Sequence, residues 1–280
     1  MTGNLYWLAS YPKSGNTWLR IFLGQLLGQT EAQDINQLAL SDSISSSRYR
    51  FDQAIGMSAA ELAQDTIDNL RPWVYEKWSS AAGKLQYVKA HDAYHLTAAG
   101  APLFPAAATR GVIHIVRDPR DVALSLAHHL TKSVDDTIVF MANPEACFAK
   151  AEKHLPPQLR QWMGDWSRHT QSWLTCPLPR LTVRYEDMLS DTLNTFTQIV
   201  QFAQIDADRT RIQTALEASR FSRLQTLESQ SRFIESPHKV ERFFRKGQAG
   251  DWRENLTKAQ ADKIVAQQGA MMQKLGYLPD

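Results

Sequence analysis

The sequence predicts an α/β protein with a mostly parallel central sheet flanked by helices. Two observations carry this. Short apolar runs of strand length (Leu5 to Ser10, Leu85 to Asp92, Gly111 to Val116, Leu181 to Tyr185) alternate with segments of helical periodicity. Two of those runs lead through short polar turns straight into helices, the pattern of a parallel sheet with crossover helices. No repeat, low-complexity linker or break in composition divides the 280 residues, so one domain over residues 1–280 is expected.

Leu5-Tyr6-Trp7-Leu8-Ala9-Ser10 has the residue types of a buried strand, and Trp18 to Leu27 repeats apolar residues at helical spacing. Between them, Tyr11-Pro12-Lys13-Ser14-Gly15-Asn16-Thr17-Trp18 makes a tight turn at a helix N-terminus. There, unpaired N–H groups and the positive end of the helix dipole favour an anion. Lys13 adds a full charge, and Ser14 and Thr17 add hydroxyl donors. The same turn also fits an ordinary strand–helix connection with a solvated lysine. Glu31 to Met57 is polar and Ser-rich, and is expected to be a long irregular segment, either a lid or a surface excursion. Ser58-Ala59-Ala60-Glu61 is a capping box that opens a helix. Pro72 is expected to open another, through Trp73, Val74 and Trp78 to Gly83.

Leu85 to Asp92 is the second strand, and Lys89 and His91 share one side of its end at i, i+2 spacing. Chemistry in α/β sheets gathers at the carboxyl ends of strands, so His91 is a candidate for catalysis as well as for a structural role. Gly111 to Val116 is the clearest buried strand. After it, Asp118 suits a helix cap and Pro119 a first turn, with the helix continuing through Val122, Leu124, Leu126 and Leu130. Arg117 and Ser125 can serve an anion from this unit, while Arg120 and Asp121 read as a surface ion pair. Pro156 to Leu174 is expected to form one helix with Leu159, Trp162, Met163, Trp166 and Trp173 facing the core. Leu181 to Tyr185 is the fourth strand, and helices follow over Thr192 to Ala203 and Thr210 to Ala218. From Ser219 to Phe244 periodicity is lost, and basic residues (Lys239 among them) alternate with Phe221, Phe233, Phe243 and Phe244. Arg245-Lys246-Gly247-Gln248-Ala249-Gly250-Asp251-Trp252 is a glycine-bracketed basic loop and a third anion candidate. Thr257 with Gln260 caps a final helix to about Leu275.

Composition limits the function. Hydrophobic content of 43% and charged content of 21% are those of a soluble globular protein, and a net charge of +2 gives no reason to expect a nucleic-acid partner. Cys147 and Cys176 match no metal-ligand or redox spacing, so no metal is expected and a reducing compartment fits. The N-terminus lacks the layout of a signal peptide, and no apolar run approaches the about 20 residues of a membrane span. The expectation is a soluble, cytoplasmic protein.

Three anion sites with aromatics close to each point to a nucleotide carrying phosphates at two separate places. Lys13 precedes its glycine and no glycine stands upstream, which departs from the NTPase pattern G-x-x-x-x-G-K-[ST]. No obvious Mg²⁺-holding carboxylate follows an apolar strand, although Asp118 and Asp121 stand near one. Both features argue against an ordinary ATP or GTP enzyme.

Four segments resemble the cytosolic sulfotransferases, in the family's order and over almost the whole chain. Tyr11 to Trp18 resembles their 5′-phosphosulfate loop, which is P-loop-like. Ile115 to Ser125 looks like their 3′-phosphate element, and Arg245 to Trp252 like their C-terminal cofactor clamp. Val183 to Met188 is similar to the family segment between these two. The resemblance implies the sulfotransferase fold, the cofactor 3′-phosphoadenosine 5′-phosphosulfate (PAPS), the product adenosine 3′,5′-bisphosphate (PAP), and no metal. It implies that Lys13, Ser14, Gly15, Asn16 and Thr17 hold the 5′-phosphosulfate, and that Arg117, Ser125, Arg245, Lys246 and Gly247 hold the 3′-phosphate. Trp18, Tyr185, Ser219 and Phe221 would contact the adenosine. Lys89-Ala90-His91 resembles the family's Lys-x-His, which makes His91 the general base and Lys89 a helper.

The implied reaction is in-line transfer to a small-molecule or lipid-like hydroxyl. His91 takes the acceptor's proton, and Lys13 meets the charge on the departing phosphate. Two departures stand out. Asn16 replaces a common Thr with its N–H retained, and Asp92 follows His91 where animal enzymes commonly carry an apolar residue. Asp92 is therefore expected to tune His91 or to contact a polar acceptor. Two other readings remain open: a P-loop-type kinase using ATP and Mg²⁺, and a non-catalytic adenosine-nucleotide-binding protein. The acceptor and the oligomeric state have no readable code in the sequence.

Overall fold

The computed structural model describes residues 3–28, 35–38, 44–150, 155–236 and 242–279. Its strands are β1 (Leu5–Ser10), β2 (Gln86–Ala90), β3 (Thr109–Val116), β4 (Cys147–Phe148), β5 (Gln161–Trp162) and β6 (Arg180–Arg184). The fold is α/β, a central parallel sheet flanked by helices, with strand order β2-β1-β3-β6. β1 pairs in parallel with β2 in the register Trp7↔Val88 and Ala9↔Ala90. Every residue of β1 is buried, as expected for a strand covered on both faces.

The chain forms two compact units. The first comprises Met1–Tyr11, Asp42–His114 and Asn143–Thr182, and the second Pro12–Ser41, Ile115–Ala142 and Val183–Asp280. In the first, Trp7, Val88 and Ala90 pack with Val74, Tyr75 and Trp78 of the helix Gln64–Ala81. Phe104 lies between Trp7 and Trp173, with ring centroids 4.8 and 4.9 Å away. Trp7 Nε1 donates to Thr109 Oγ1 at 2.8 Å, which satisfies the one polar atom this large side chain buries.

Several expectations for this unit are corrected. Pro72 does not open a helix but lies inside Gln64–Ala81. The buried face Ile67, Arg71, Val74, Tyr75 and Trp78 carries the helix across the N–H that proline lacks. Ser58 caps only the short 3₁₀ turn Ala59–Glu61, by accepting from Ala60 N–H. The described part of the Ser-rich stretch is not irregular throughout, because Ser47 caps a helix over Arg48–Ile55. Its remainder lies outside the described residues, as does Lys239. The expected helix from Pro156 begins only at Trp166, where Asp165 caps by accepting from Arg168 N–H at 2.8 Å. Upstream, Gly164 has φ +63, and β5 pairs antiparallel with β4.

In the second unit the helix Asn16–Leu26 buries Leu19, Ile21, Phe22 and Leu23. The stretch after Ser219 is not patternless: Phe221–Gln230 is a helix whose Leu224 and Leu227 pack with Ile21, Phe233 and Phe244. Pro119–Leu130 begins as expected, with Pro119 in its first turn and Asp118 accepting from Arg120 N–H. Thr257 and Gln260 form the expected capping box of the helix Lys258–Lys274. Among the described residues no helix is long and apolar enough to cross a membrane, and no group of three or more His, Cys, Asp or Glu could hold a metal ion. Cys147 and Cys176 are free thiols.

Candidate active site

The second unit holds every residue predicted to bind the nucleotide. The chain leaves β1, turns through Lys13 at φ +68 and Gly15 at φ +107, and enters the helix at Asn16. Gly15 is required for two reasons. Its φ is left-handed, and a Cβ there would stand 2.7 Å from the Tyr185 ring. The glycine lets the loop backbone lie directly against that ring. Ser14 Oγ is fully buried and has no hydrogen-bond partner among the described residues. A buried hydroxyl beside a helix N-terminus is a donor suited to an anion's oxygen. Lys13 Nζ lies 3.8 Å from the centroid of the Phe243 ring, a cation–π contact between residues 230 positions apart that no local pattern predicts.

Arg117 joins the predicted segments. Nη1 donates to Lys13 O at 3.0 Å and Nη2 to Gln248 O at 3.1 Å, while its guanidinium lies 4.3 Å from the Tyr185 ring centroid. Trp18 meets the same tyrosine edge-on at 6.3 Å. Phe221 lies under Gly247, where a Cβ would come within 2.3 Å of its ring. These contacts gather the Lys13 turn, Arg117, Tyr185 and the Arg245–Trp252 loop. Thr17 and Ser125 are half-buried on their helices. Ser219 is fully buried and donates to Leu216 O at 3.2 Å, so its hydroxyl serves its own helix end.

Arg120 and Asp121 are not a surface ion pair. Arg120 pairs with Asp118 at 2.7 Å and donates to Tyr277 O at 2.9 Å, both largely buried. Asp121 instead accepts from the N–H groups of Gly250 and Trp252 at 2.7 and 2.9 Å. Asp251 is the partner the sequence reading missed, since both Arg245 (3.0 Å) and Lys246 donate to it. Burial alone would raise the Asp251 carboxyl, but the hydrogen bonds and charges of Lys246 and Arg245 hold it below its ordinary value. The signal for it was a lone acid flanked by Gly250 and Trp252 inside a basic loop.

The first unit holds Lys89 and His91. Lys89 is in β2 and half-buried, and its carbonyl accepts from Ser45 N–H at 2.8 Å. His91, 9% exposed, stands just past β2, with Nδ1 2.9 Å from Ser10 O. A carbonyl only accepts, so the neutral ring carries its proton on Nδ1 and its lone pair on Nε2. The backbone around His91 is held by two buried side chains. His169 Nε2 donates to His91 O at 3.2 Å, and Trp173 Nε1 to Asp92 O at 3.1 Å. Burial pulls His169 down to about 3, so it is neutral at ordinary pH. Asp92 is fully buried and does not take the expected contact with an acceptor. Its carboxylate is committed to a fully buried pair with Arg71 at 2.7 and 3.0 Å, and also accepts from Trp162 N–H. A fully buried carboxylate needs a cation partner, and Arg71 supplies it.

The donor set suits an anionic nucleotide: lysine, arginines, a buried hydroxyl, helix N–H groups, and two glycines seated on aromatic rings. The family model for the sulfotransferase domain matches residues 5–276. A 3-alpha-hydroxysteroid sulfotransferase of Cavia porcellus is 26% identical over 284 residues, covering 96% of this chain and 83% of its own. A flavonol 3-sulfotransferase of Flaveria bidentis is 24% identical over 273 residues, covering 93% and 79%. The crystal structure of mouse sulfotransferase SULT7A1 complexed with PAP shares the fold at a TM-score of 0.58 and 18% identity, covering 95% of this chain and 84% of that one. Matched from residue 5 to residue 276, the chain belongs to the sulfotransferase domain family.

Proposed function

We propose that this protein transfers the sulfuryl group of PAPS to the hydroxyl of an alcohol or phenol, with His91 as general base. The observation that carries the reading is the Nδ1 contact of His91 with Ser10 O, which leaves the basic lone pair on Nε2. When bound, PAPS supplies an activated sulfuryl group and a phosphate leaving group. Lys13, Ser14, Gly15, Asn16 and Thr17 bind the 5′ end through N–H, hydroxyl and ammonium donors. Lys13 offsets charge building on the leaving oxygen. Arg117, Ser125, Arg245, Lys246 and Gly247 take the 3′-phosphate, and Trp18, Tyr185, Ser219 and Phe221 line the adenosine side. Lys89 supports the transferring group. The relatives named for hydroxysteroid and flavonol acceptors support a small hydroxyl acceptor. The family match across both units supports one sulfotransferase domain.

The test is His91→Ala, with labelled PAPS and an acceptor found by screening phenols, aliphatic alcohols and glycolipids. Turnover should fall by roughly 10²–10⁴-fold, the usual contribution of a general base. Affinity for PAP should stay within about twofold, because no binding role is assigned to His91. Near-normal turnover in His91→Ala would remove the base assignment.

A further inference from the structure

The helix Pro119–Leu130 begins with two acids, and only one serves the helix. Asp118 is the N-cap and pairs with Arg120. Asp121 is 2% exposed, and both of its oxygens reach off the helix to another segment. Oδ2 accepts from Gly250 N–H at 2.7 Å and Oδ1 from Trp252 N–H at 2.9 Å. Those two amides flank Asp251. The Asp251 carboxylate in turn accepts from Arg245 at 3.0 Å, from Lys246, from Gln248 Nε2 at 3.3 Å and from Asn255 Nδ2 at 2.9 Å. Two carboxylates therefore act in series. Asp121 fixes the peptide on either side of Asp251, and Asp251 fixes the two cations.

This loop needs holding. Gly247 and Gly250 have φ +61 and +81, a backbone region that glycine enters at an entropic cost. The Arg245 and Lys246 side chains are 36% and 34% exposed, so each has rotamer freedom to lose on binding. A site whose charges are held before the ligand arrives loses less on binding it. Arg117 holds the loop at a third point, Gln248 O.

We infer that Asp121 is a positioning residue for the loop Arg245–Trp252, setting affinity for a nucleotide's 3′-phosphate without touching the nucleotide. This rests on the reading that Arg245 and Lys246 hold that phosphate. The test titrates PAP and AMP, which lacks the 3′-phosphate, into wild type, Asp121→Ala, Asp121→Asn and Arg245→Ala by calorimetry. Wild type should prefer PAP to AMP. Asp121→Ala should cut that preference roughly tenfold, equivalent to about 1.4 kcal/mol, with AMP affinity changed less than about twofold. Asp121→Asn should fall between, since its amide oxygen accepts one N–H while its NH₂ opposes the other. It also stands in should Asp121→Ala not fold. If Arg245→Ala keeps the preference, the reading of the loop as a 3′-phosphate site falls. If Arg245→Ala loses the preference but the Asp121 variants keep it, the positioning role falls. It falls equally if the Asp121 variants weaken PAP and AMP alike, because Asp121 then acts on the whole fold.

Discussion

Asp92→Ala removes the partner of a fully buried arginine. Arg71 is 1% exposed and Asp92 0%, and two hydrogen bonds of 2.7 and 3.0 Å join them. Arg71 also donates to Tyr75 OH at 2.8 Å and to Arg160 O at 3.2 Å, so its guanidinium cannot turn toward water without breaking further bonds. Removing one member of a buried pair costs about 3–5 kcal/mol, against at most about 1 kcal/mol for an exposed pair. Asp68, 3.6 Å from Arg71, takes up part of the charge, which places the expectation near the lower end, at about 3 kcal/mol. Urea unfolding at pH 7, followed by tryptophan fluorescence, measures it. The double variant Arg71→Met/Asp92→Leu should recover most of the loss, because a well-packed apolar replacement leaves no buried charge. A loss under about 1 kcal/mol for Asp92→Ala would refute the argument, as would a double variant no better than the single one.

Two other predictions follow from the geometry. Gly15→Ala and Gly56→Ala both place a side chain at positive φ, +107 and +77, but only at Gly15 does the new Cβ meet a ring, at 2.7 Å; at Gly56 nothing lies within 4 Å. Gly15→Ala should therefore destabilise more than the roughly 1–2 kcal/mol of the conformational term alone, and should weaken PAP binding, while Gly56→Ala should show only that term. His169 has a folded-state value of about 3 against an ordinary 6.5, so between those values the unfolded chain binds the extra proton and stability falls as pH falls. From neutral pH to pH 5 this amounts to about 2 kcal/mol. His169→Gln, which keeps a donor for His91 O, should lose correspondingly less over that interval, and identical slopes for variant and wild type would count against it.

Local chemistry made much of this protein legible from its sequence. Leu5–Ser10 is apolar throughout, Asp118-Pro119 is cap and first turn, and Thr257 with Gln260 is a reciprocal cap; each depends on neighbours within a turn. The nucleotide-site candidates were legible for the same reason, since Lys13 to Trp18 and Arg245 to Trp252 are contiguous stretches with their own backbone demands. What packing decided could not be read this way. Pro72 sits inside a helix because a buried face outweighs one missing N–H, and Phe221–Gln230 is helical although its polar residues hide the period. Arg71 finds Asp92 21 positions away, and Asp121 finds Gly250 and Trp252 129 and 131 positions away. In both cases an acid read as solvent- or ligand-facing serves the interior instead. The sequence by itself determined which segments are candidates for anion binding, because those signals are local. Only the tertiary structure decided which charges stay available to a ligand and which are committed to one another, because burial makes an unpaired charge too costly to leave.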